Sequence, residues 1–306
     1  MSSTSRPKPS PGSSRSATAS STSRSAGERG LGAAAVRRLA ADHGLHPAKA
    51  LGQHFLIDPN LGRWIARAAE VGEGDRVIEI GAGLGSLTLP LADTGAQVLA
   101  VELDPAAVAA LQDLLGGRPD VRILRADAMK LVWEEALGAG DDGWVLCANL
   151  PYNIATPLVL DVLRDVPRIR RLVVMVQREV GERLAAAPGD DAFGAVSLHV
   201  AYAADATVLR HVAPTVFWPR PAVGSSVVRL ERRAVPPVDV NADRLWRVVD
   251  VAFAQRRKTM RNALRRLGLG SAAADEVLAA CGIAPAARPE ELGLEAFARI
   301  AEAVPV

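Results

Sequence analysis

The order of hydrophobic and polar positions divides the chain into two regions of different structure. From residue 76 onward, short apolar runs alternate with segments of helical periodicity. The runs that we predict to be strands cover residues 76–80, 97–102, 121–125, 144–148 and 171–177. Strands that alternate with helices are typical of a parallel sheet with crossover helices. Residues 226–230 alternate like a strand that returns to this sheet, so the sequence predicts an α/β domain.

Helical patterns lie within and beyond this region. Helices are predicted at 32–41 and at 59–70 after a capping Asp58, a charged and solvated helix at 178–187, and amphipathic helices near 272–281 and 290–303. A Pro-Pro pair at 236–237 indicates a linker, and the patterns after it are helical. We therefore predict an α/β domain over residues 33–233 and a small all-helical domain over residues 234–306.

Residues 1–32 are predicted to be a disordered tail. They are mostly Ser, Thr, Pro, Ala, Gly and Arg, with Glu28 as their one acid. A segment of this composition cannot bury a core. An acid-poor terminus rich in Arg and Ser also resembles an organelle transit peptide. The prolines at 7, 9 and 11 interrupt any amphipathic helix, and arginine is abundant in the whole chain, so compositional bias is the preferred interpretation.

The composition argues against several classes of protein. The chain has 306 residues, of which 49% are hydrophobic, and this is ample for a buried core. It contains no apolar run of about 18 residues, so we expect no membrane span. Cys147 and Cys281 are far apart and lack CxxC spacing, which argues against a disulfide framework or a structural zinc site.

The most informative local pattern is the stretch from Val77 to Gly85, which reads Val-Ile-Glu-Ile-Gly-Ala-Gly-Leu-Gly. It predicts a buried strand and then a loop with almost no side chains, where a ligand can lie close to the N-terminus of the next helix. The second strand ends in Glu102, 17 residues after Gly85, where such folds hold the two hydroxyls of a ribose. A tight turn would explain the glycines alone, whereas the added carboxylate favours a nucleoside-type ligand.

Polar groups also follow the third and fourth strands. Asp127 is either part of the same site or a helix cap. The fourth strand ends in Asn149-Leu150-Pro151-Tyr152, which offers an amide, an outward carbonyl and an aromatic face. This set suits a planar group with an exocyclic amine, because the Asn149 Oδ1 and the Leu150 carbonyl can accept its N–H bonds while Tyr152 stacks on the ring. The alternative is a plain turn in which Tyr152 only packs.

Two loops are candidates for covering this site. Gln53-His54-Phe55 precedes the first strand of the sheet and is either a lid over the ligand or a packed loop. The proline-rich segment 216–225 contains Phe217 and Trp218, which could belong to the core. A proline-stiffened loop that holds an aromatic is also a good stacking wall, and we expect Phe217 to serve as one.

A basic segment begins at Phe253. It carries Arg256, Arg257, Lys258, Arg261, Arg265 and Arg266 with no acid between them. A run of charges is often a solvated helix face. Six unbalanced cations on one segment, in a chain whose net charge is only +2, instead predict contacts with a phosphate backbone.

Together and in this order, the motifs resemble the ribosomal RNA adenine N6-dimethyltransferase family, in particular its bacterial small-subunit branch, over roughly residues 33–306. The carriers are Leu51-Gly-Gln-His-Phe-Leu56, Glu79-Ile-Gly-Ala-Gly-Leu-Gly85, Glu102-Leu-Asp104, Asp127-Ala-Met129, Asn149-Leu-Pro-Tyr-Asn153, Phe217-Trp-Pro-Arg-Pro221 and Phe253-Ala-Gln-Arg-Arg-Lys-Thr259. The glycine motif is shared by many methyltransferases, whereas the ordered set is specific. The tail is one departure, and His54 is another because the family commonly has Asn there.

The resemblance implies a Rossmann-like class I methyltransferase fold, with a mostly parallel seven-stranded sheet and a small helical C-terminal domain. It implies S-adenosylmethionine as the methyl donor, S-adenosylhomocysteine as the product and no metal. The acceptors would be two adjacent adenosines near the 3′ end of 16S rRNA, each dimethylated at N6 as a step in small-subunit maturation.

The resemblance also assigns residues by position. The donor site would contain His54, Leu56, Gly81, Gly83, Glu102, Leu103, Asp127, Ala128 and Asn149. Glu102 would hold the ribose, and Asp127 the adenine amine. The target base would contact Asn149, Leu150, Pro151, Tyr152 and Phe217. The rRNA backbone would contact Arg256, Arg257, Lys258 and Arg261.

Three alternatives remain open on the sequence. A large-subunit rRNA adenine methyltransferase of the antibiotic-resistance type shares the sheet and the Asn-Leu-Pro-Tyr site. An RNA-binding assembly or transcription factor could keep the fold without turnover, although it need not retain Glu102, Asp127 and Asn149 together. A nicotinamide dehydrogenase is disfavoured, because the third glycine comes one residue too early for GxGxxG. We also expect a cytoplasmic monomer that acts on 16S rRNA within the small subunit or an assembly intermediate.

Overall fold

A computed structural model describes Met1 and residues 30–47, 52–140 and 143–305, so most of the predicted tail and Leu51 lie outside the described residues. The helices are α1 (Ala33–Asp42), α2 (Pro59–Ala68), α3 (Thr88–Ala92), α4 (Pro105–Leu115), α5 (Trp133–Leu137), α6 (Ala155–Asp165), α7 (Arg178–Ala185), α8 (Ala195–Ala203), α9 (Ala242–Phe253), α10 (Met260–Arg266), α11 (Ser271–Ala280) and α12 (Leu294–Ala303). The strands are β1 (Phe55–Leu56), β2 (Arg76–Ile80), β3 (Gln97–Glu102), β4 (Val121–Arg125), β5 (Trp144–Asn149), β6 (Ile169–Gln177), β7 (Ala204–Val212), β8 (Phe217–Trp218) and β9 (Ser225–Arg232).

The centre of the fold is a seven-stranded sheet with the strand order β4-β3-β2-β5-β6-β9-β7. The first five strands in this order pair in parallel, and β9 runs antiparallel to both β6 and β7. This confirms the predicted mostly parallel α/β sheet, and the six strands expected from the apolar pattern end within two residues of their predicted bounds. The edge strand β7 was missed, because most of its residues are accessible to solvent and carry no clear alternation.

Side chains of the central strands pack on opposite faces of the sheet. Ile78 and Ile80 of β2 belong to a hydrophobic cluster that includes Leu158 and Val162 of α6. Val77 belongs to a second cluster, with residues of α2, on the other face. Because side chains alternate along a strand, Glu79 lies on the same face as Val77, where it is only 1% exposed.

A two-stranded antiparallel ribbon joins two distant loops above the sheet. Phe55 and Leu56 of β1 pair with Trp218 and Phe217 of β8. The N–H of Ile57 extends the ribbon by donating to the carbonyl of Val216 at 2.8 Å. The ribbon therefore ties the segment before α2 to the proline-rich loop.

The C-terminal helices share a hydrophobic core with α8. Their cluster contains Leu245, Phe297 and Ile300, and it also contains Phe193 and Leu198 from the chain segment before β7. The domain boundary at residue 233 therefore remains a prediction, because apolar packing continues across it.

The basic segment is not one continuous helix. Helix α9 ends at Phe253, residues 254–258 form turns, and α10 begins at Met260. The Met260 side chain is fully buried, and its N–H donates to the carbonyl of Ala287 at 2.8 Å. The chain must change direction to bury this residue, which explains why helical periodicity alone did not reveal the break.

Candidate active site

A cavity of about 290 Å³ lies at the carboxyl ends of β2, β3, β4 and β5. The strand order reverses between β2 and β5, since β3 and β4 follow on one side and β6 follows on the other. Open α/β sheets bind ligands in the crevice outside such a reversal. The predicted ligand-binding edge is therefore a formed cavity.

The cavity brings together most of the residues predicted for the site. Those that line it are His54, Leu56, Gly81, Gly83, Glu102, Leu103, Asp127, Ala128, Asn149, Leu150, Pro151 and Tyr152. They come from five separate segments of the chain, and the parallel strand order accounts for their proximity. The part that each plays in binding stays a prediction.

The glycines after β2 bring the backbone close to the cavity. Gly81 and Gly83 have φ angles of 72° and 55°, a region that favours glycine. A Cβ atom on Gly83 would come within 3.0 Å of the Phe55 ring, and one on Gly81 within 3.2 Å of Pro151. The loop is anchored by the N–H of Gly81, which donates to the carbonyl of Val101 at 2.8 Å. A side chain at Gly81 or Gly83 would therefore collide with Pro151 or with Phe55.

Glu102 is held by backbone N–H groups on both of its oxygens. The N–H of Gly83 donates to Oε2 at 2.8 Å, while those of Leu103 and Asp104 donate to Oε1 at 2.7 and 2.9 Å. Burial raises the pKa of Glu102, and these N–H groups oppose the rise because they stabilise the charged form. The carboxylate links the glycine loop to the end of β3 in one fixed arrangement.

Glu79 is a second buried carboxyl in the cavity wall, and it has a different environment. Its Oε2 has no hydrogen-bond partner among the described residues. Burial raises the pKa of Glu79 from 4.5 to about 8; the Glu102 carboxylate adds to this rise, and the Thr88 hydroxyl opposes it. Glu79 lacks the backbone N–H bonds that stabilise the charged form of Glu102. It is therefore mainly protonated near pH 7.

The amide of Asn149 is oriented by the segment that precedes β1. Its Nδ2 donates to the backbone carbonyl of His54 at 3.0 Å. This contact uses the donor side of the amide and fixes the direction of Oδ1. The neighbouring Leu150 side chain is 1% exposed, and its N–H donates to the carbonyl of Met175 at 3.0 Å, so the start of the tetrapeptide is rigidly held.

Tyr152 and His54 form a second set of contacts at the same edge. The hydroxyl of Tyr152 lies 2.9 Å from the Oγ of Ser225. The ring centroids of Tyr152 and His54 are 5.2 Å apart, with an angle of 37° between the ring planes. His54 Nδ1 lies 2.7 Å from the carbonyl oxygen of Pro219, to which it donates. His54 therefore bridges the aromatic ring to the proline-rich loop.

Asp127 occupies both of the positions considered for it, at a helix cap and at the cavity. Its Oδ1 accepts from the N–H of Met129 at 3.0 Å and so caps the short 3-10 helix Ala128–Lys130. It also lines the cavity, which makes it available to a ligand.

Phe217 does not lie where a stacking wall requires it. Its side chain is 3% exposed and packs in the cluster that contains Leu56 and Leu61. It is absent from the described residues that line the cavity. Its pairing with Leu56 in the β1–β8 ribbon turns the ring into the core, so the expected stacking wall is not formed in this structure.

Several lining residues were missed from the sequence. Glu79 was noticed only as part of the glycine motif, and its burial inside the cavity depends on the pairing of β2 with two neighbours. Met129 was also not assigned; it is a large hydrophobic residue, 39% exposed, at the cavity. It follows Asp127 by two residues, much as the predicted Leu103 follows Glu102, and this signal could have identified it as an apolar wall for a flat ligand.

The basic segment is partly neutralised by acids from other elements. Arg256 Nε lies 2.7 Å from Glu290, and Arg261 pairs with Asp275 at 2.6 Å. The expectation of six unbalanced cations is therefore wrong for these two, because the fold brings acids next to them. Four other cations have exposed side chains and no ion pair in the described part of the chain. They are Arg257, Lys258, Arg265 and Arg266.

Comparisons with known proteins agree with this geometry. The family model of ribosomal RNA adenine dimethylases matches residues 45–304. The chain belongs to this family. It is 46% identical over 285 residues to the ribosomal RNA small subunit methyltransferase A of Thermobifida fusca, which covers 92% of this chain and 98% of the relative. It is also 46% identical over 270 residues to the protein of the same name from Moorella thermoacetica (86% and 94%).

Solved structures of the dimethylase type share the fold. A dimethyladenosine transferase from Plasmodium falciparum superposes with a TM-score of 0.69 at 24% identity, over 81% of this chain and 96% of that one. The 23S rRNA methyltransferase ErmE gives a TM-score of 0.65 at 25% identity, over 82% and 99%. The predicted class I methyltransferase fold and the activity of an rRNA adenine dimethyltransferase that uses S-adenosylmethionine are confirmed.

Within residues 30–47, 52–140 and 143–305, no three or more His, Cys, Asp or Glu side chains are placed together to hold a metal ion. No helix in them is long and apolar enough to span a membrane.

The raised pKa of Glu79 predicts how stability depends on pH. An unfolded chain carries an ordinary carboxyl, so between pH 4.5 and about 8 the folded protein holds a proton that the unfolded chain has lost. The free energy of unfolding should therefore fall as the pH rises through this window, by up to about 1.4 kcal/mol per pH unit from this group. Glu79→Gln should abolish this contribution, and urea unfolding at several pH values measures it.

The difference between the variant and the wild type isolates Glu79 from all other titrating groups. It should grow with pH up to about 8 and then stay constant. Glu73→Gln is the matched control, because Glu73 is exposed. Parallel curves for wild type and Glu79→Gln would show that Glu79 is already ionised in the folded protein.

Proposed function

We propose that this chain dimethylates N6 of two adjacent adenosines near the 3′ end of 16S rRNA, and that it does so within the small subunit or an assembly intermediate. The observation that carries this proposal is a single cavity lined both by Glu102, the carboxylate expected to bind a ribose, and by Asn149-Leu150-Pro151-Tyr152. The two relatives at 46% identity are named for the small subunit, which supports that target. Activity in the cytoplasm as a monomer stays a prediction.

The cavity wall suits a nucleoside that is extended by an amino-acid tail. The Glu102 carboxylate would accept hydrogen bonds from both ribose hydroxyls. Asp127 would accept a hydrogen bond from the adenine amine. Leu103 and Met129 offer apolar surface for the flat adenine ring, and the side-chain-free loop at Gly81 would lie against the tail. S-adenosylmethionine supplies an already activated methyl group on its sulfonium, so the protein needs no covalent nucleophile.

The acceptor side depends on two oxygens at the end of β5. The Asn149 Oδ1 and the Leu150 carbonyl would accept the two N–H bonds of the target amine. An adenine N6 is a poor nucleophile because its lone pair is delocalised into the ring, and these contacts favour a more pyramidal nitrogen aimed at the methyl carbon. The bond between Asn149 Nδ2 and the His54 carbonyl would keep Oδ1 pointed at the substrate.

Tyr152 would hold the extruded base by stacking. Contacts between a base and an aromatic ring contribute roughly 1–3 kcal/mol each. The hydrogen bond between the Tyr152 hydroxyl and Ser225 would restrict the movement of the ring. Phe217 is left out of this arrangement because it lies in the core.

The transfer needs no protein base. The nitrogen becomes acidic once it is methylated, and it can lose its proton to water. After the first transfer one N–H bond remains, and Asn149 can hold only that proton during the second transfer. The site must therefore leave room for the first methyl group.

The decisive experiment combines labelled S-adenosylmethionine with small ribosomal subunits that lack the modification, followed by mass mapping of the rRNA. We expect N6,N6-dimethyladenosine at two adjacent positions near the 3′ end of 16S rRNA. Label on large-subunit rRNA would instead favour methylation of 23S rRNA, the activity for which ErmE is named. Tight RNA binding without label would indicate an assembly factor.

The position of Asn149 predicts a separation of turnover from donor binding. Asn149→Ala should lower single-turnover methylation by about 100-fold or more, because the oriented acceptor is lost. Donor affinity, measured by calorimetry, should fall by far less, because the Glu102 and glycine-loop contacts remain. Asn60→Ala, an exposed asparagine at the start of α2, is the control. Equal losses in both measurements would exclude the proposed positioning of N6.

The exposed cations of the C-terminal region form the proposed rRNA contact surface. Arg257 and Lys258 keep the role that the sequence predicted for them. Lys258, Arg265 and Arg266 line one shallow groove beside the start of α11. Arg256 and Arg261 contribute less to it, because Glu290 and Asp275 already neutralise them.

This surface predicts two different responses to charge removal. The triple change Lys258→Gln, Arg265→Gln and Arg266→Gln should weaken rRNA binding and lower the slope of log affinity against log salt by about 2–3. Arg261→Gln, the control, should change the slope by less than about 1 and should mainly loosen the contact with α11. Filter binding at several salt concentrations measures both. A larger effect from Arg261→Gln would place the RNA on the other side of α10.

A further inference from the structure

Arg178 and Arg220 are exposed cations for which the methyl transfer itself has no use. Arg178 is the first residue of α7 and directly follows β6, and Arg220 lies in the proline-rich loop after β8. Neither side chain forms an ion pair within the described residues. On the same helix, Glu179 and Arg183 pair at 2.8 Å, whereas Glu182, four residues after Arg178, makes no such contact with it. The two guanidinium groups are therefore available to a ligand from outside the chain.

Backbone contacts place Arg178 beside the residue that holds Tyr152. The N–H of Arg178 donates to the carbonyl of Gly224 at 2.9 Å, and its Nε lies 3.9 Å from the position that a Cβ on Gly224 would take. The next residue is Ser225, whose Oγ lies 2.9 Å from the Tyr152 hydroxyl. Arg178 therefore lies at the acceptor side of the cavity, next to the end of the proline-rich loop.

Arg220 is carried by the other end of the same loop. The preceding residue is Pro219, whose carbonyl accepts from Nδ1 of His54 at 2.7 Å, and the His54 ring lies 5.2 Å from that of Tyr152. Prolines before and after Arg220 restrict its backbone, so the loop presents this side chain from a fixed position. Tyr152 is thus linked to Arg178 through Ser225 and to Arg220 through His54.

The charges of the cavity show what these arginines can bind. The described residues that line it include the acids Glu102 and Asp127, and they include neither Lys nor Arg. An RNA strand that inserts one base brings the phosphates on both sides of that base to the mouth of the cavity, where the acids repel them. Arg178 and Arg220 can offset this repulsion, because a planar guanidinium donates two hydrogen bonds to one phosphate.

We propose that Arg178 and Arg220 form a phosphate clamp, which binds the two backbone phosphates that flank the target adenosine. One arginine binds the phosphate on the 5′ side and the other binds the phosphate on the 3′ side, so that the base between them faces Tyr152 and Asn149. This inference rests on the proposed function, because that function supplies the RNA strand. The clamp is a second RNA site, on the α/β domain, separate from the rRNA contact surface of the C-terminal region.

The clamp acts after the small subunit has docked. The rRNA contact surface holds the subunit, so the loss of one clamp charge should change subunit affinity little. The methylation rate of a bound subunit depends instead on how often the target base occupies the cavity, and the clamp raises that fraction. Each arginine should therefore contribute about tenfold to the single-turnover rate at saturating subunits, as expected for one charged hydrogen-bonded contact.

The experiment removes charge from the RNA and from the protein separately. Small subunits are reconstituted with 16S rRNA whose 3′ segment is synthetic and carries one uncharged methylphosphonate linkage beside the target adenosines. Labelled S-adenosylmethionine is supplied in excess, and the label on each adenosine is mapped separately by mass. For the wild type, methylation of an adenosine should be about tenfold slower when either of its two flanking linkages is neutral.

The variants assign each phosphate to one arginine. Arg220→Gln should show a similar loss of rate on unmodified RNA. Neutralising one of the two linkages should then cause no further loss, because the contact is already absent. Arg178→Gln should behave in the same way at the other linkage. Arg178→Lys and Arg220→Lys should regain part of the rate, since they keep the charge and lose the two-pronged contact.

Arg67→Gln is the matched control. Arg67 is an exposed arginine near the end of α2. The carbonyl of Ala69, two residues later, accepts from Arg171 at 3.0 Å. Arg171 lies near the amino end of β6, whereas Arg178 follows its carboxyl end, so the control removes the same charge at the opposite edge of the sheet. It should keep the wild-type rate and the wild-type sensitivity to both neutral linkages.

Two results would overturn the clamp. One is a wild type that is indifferent to every neutral linkage beside the adenosines, and the other is a full further loss at both linkages in each glutamine variant. If Arg178→Gln does not fold, Arg220→Gln decides alone, because the Arg220 side chain is exposed. A wild type that places no label on small subunits with ordinary phosphates would contradict the proposed function itself, so the two failures are distinguishable.

Discussion

The parallel pairing of β2 with both β3 and β5 is the constraint on which the site depends. Val77 aligns with Val98 on one side and with Val145 on the other, so the three strands end at the same edge of the sheet. The loops that follow these strands therefore lie side by side at that edge, and the cavity forms between them. The glycine loop is fastened to this edge by the bond from the Gly81 N–H to the Val101 carbonyl. A shift of one residue in this register would exchange the buried and cavity-facing positions of the strand.

Two buried carboxyls at this edge illustrate how backbone geometry assigns chemistry. Glu102 and Glu79 are both buried, and burial raises the pKa of each. Glu102 receives backbone N–H bonds from Gly83, Leu103 and Asp104, which compensate for its lost water. Glu79 lies inside a strand, where the N–H groups are used by the sheet and none turns toward its side chain. One acid is thus suited to accept hydrogen bonds from a sugar, and the other to hold a proton.

The sequence predicts most of this site because strand ends carry their own signals. Apolar runs that stop at a glycine, at Glu102 or at Asn149 indicate both the element and the edge where the polar groups collect. What the sequence could not show depends on packing between distant segments. Phe217 faces the core because it pairs with Leu56, and nothing within its own loop specifies that partner. In the same way, Arg256 and Arg261 are neutralised by Glu290 and Asp275, which follow them by 34 and 14 residues.

The segment before β1 connects the donor and acceptor halves of the cavity. The His54 carbonyl accepts from Asn149, and the His54 ring contacts both Tyr152 and the Pro219 carbonyl. The next residue, Phe55, packs against Gly83 of the donor loop. A movement of this segment would therefore change the orientation of the acceptor amide and the shape of the donor pocket together. Because residue 54 contacts Asn149 through its backbone carbonyl, this bond does not depend on the His54 side chain, and the Asn expected there from the family pattern would allow the same orientation of the amide.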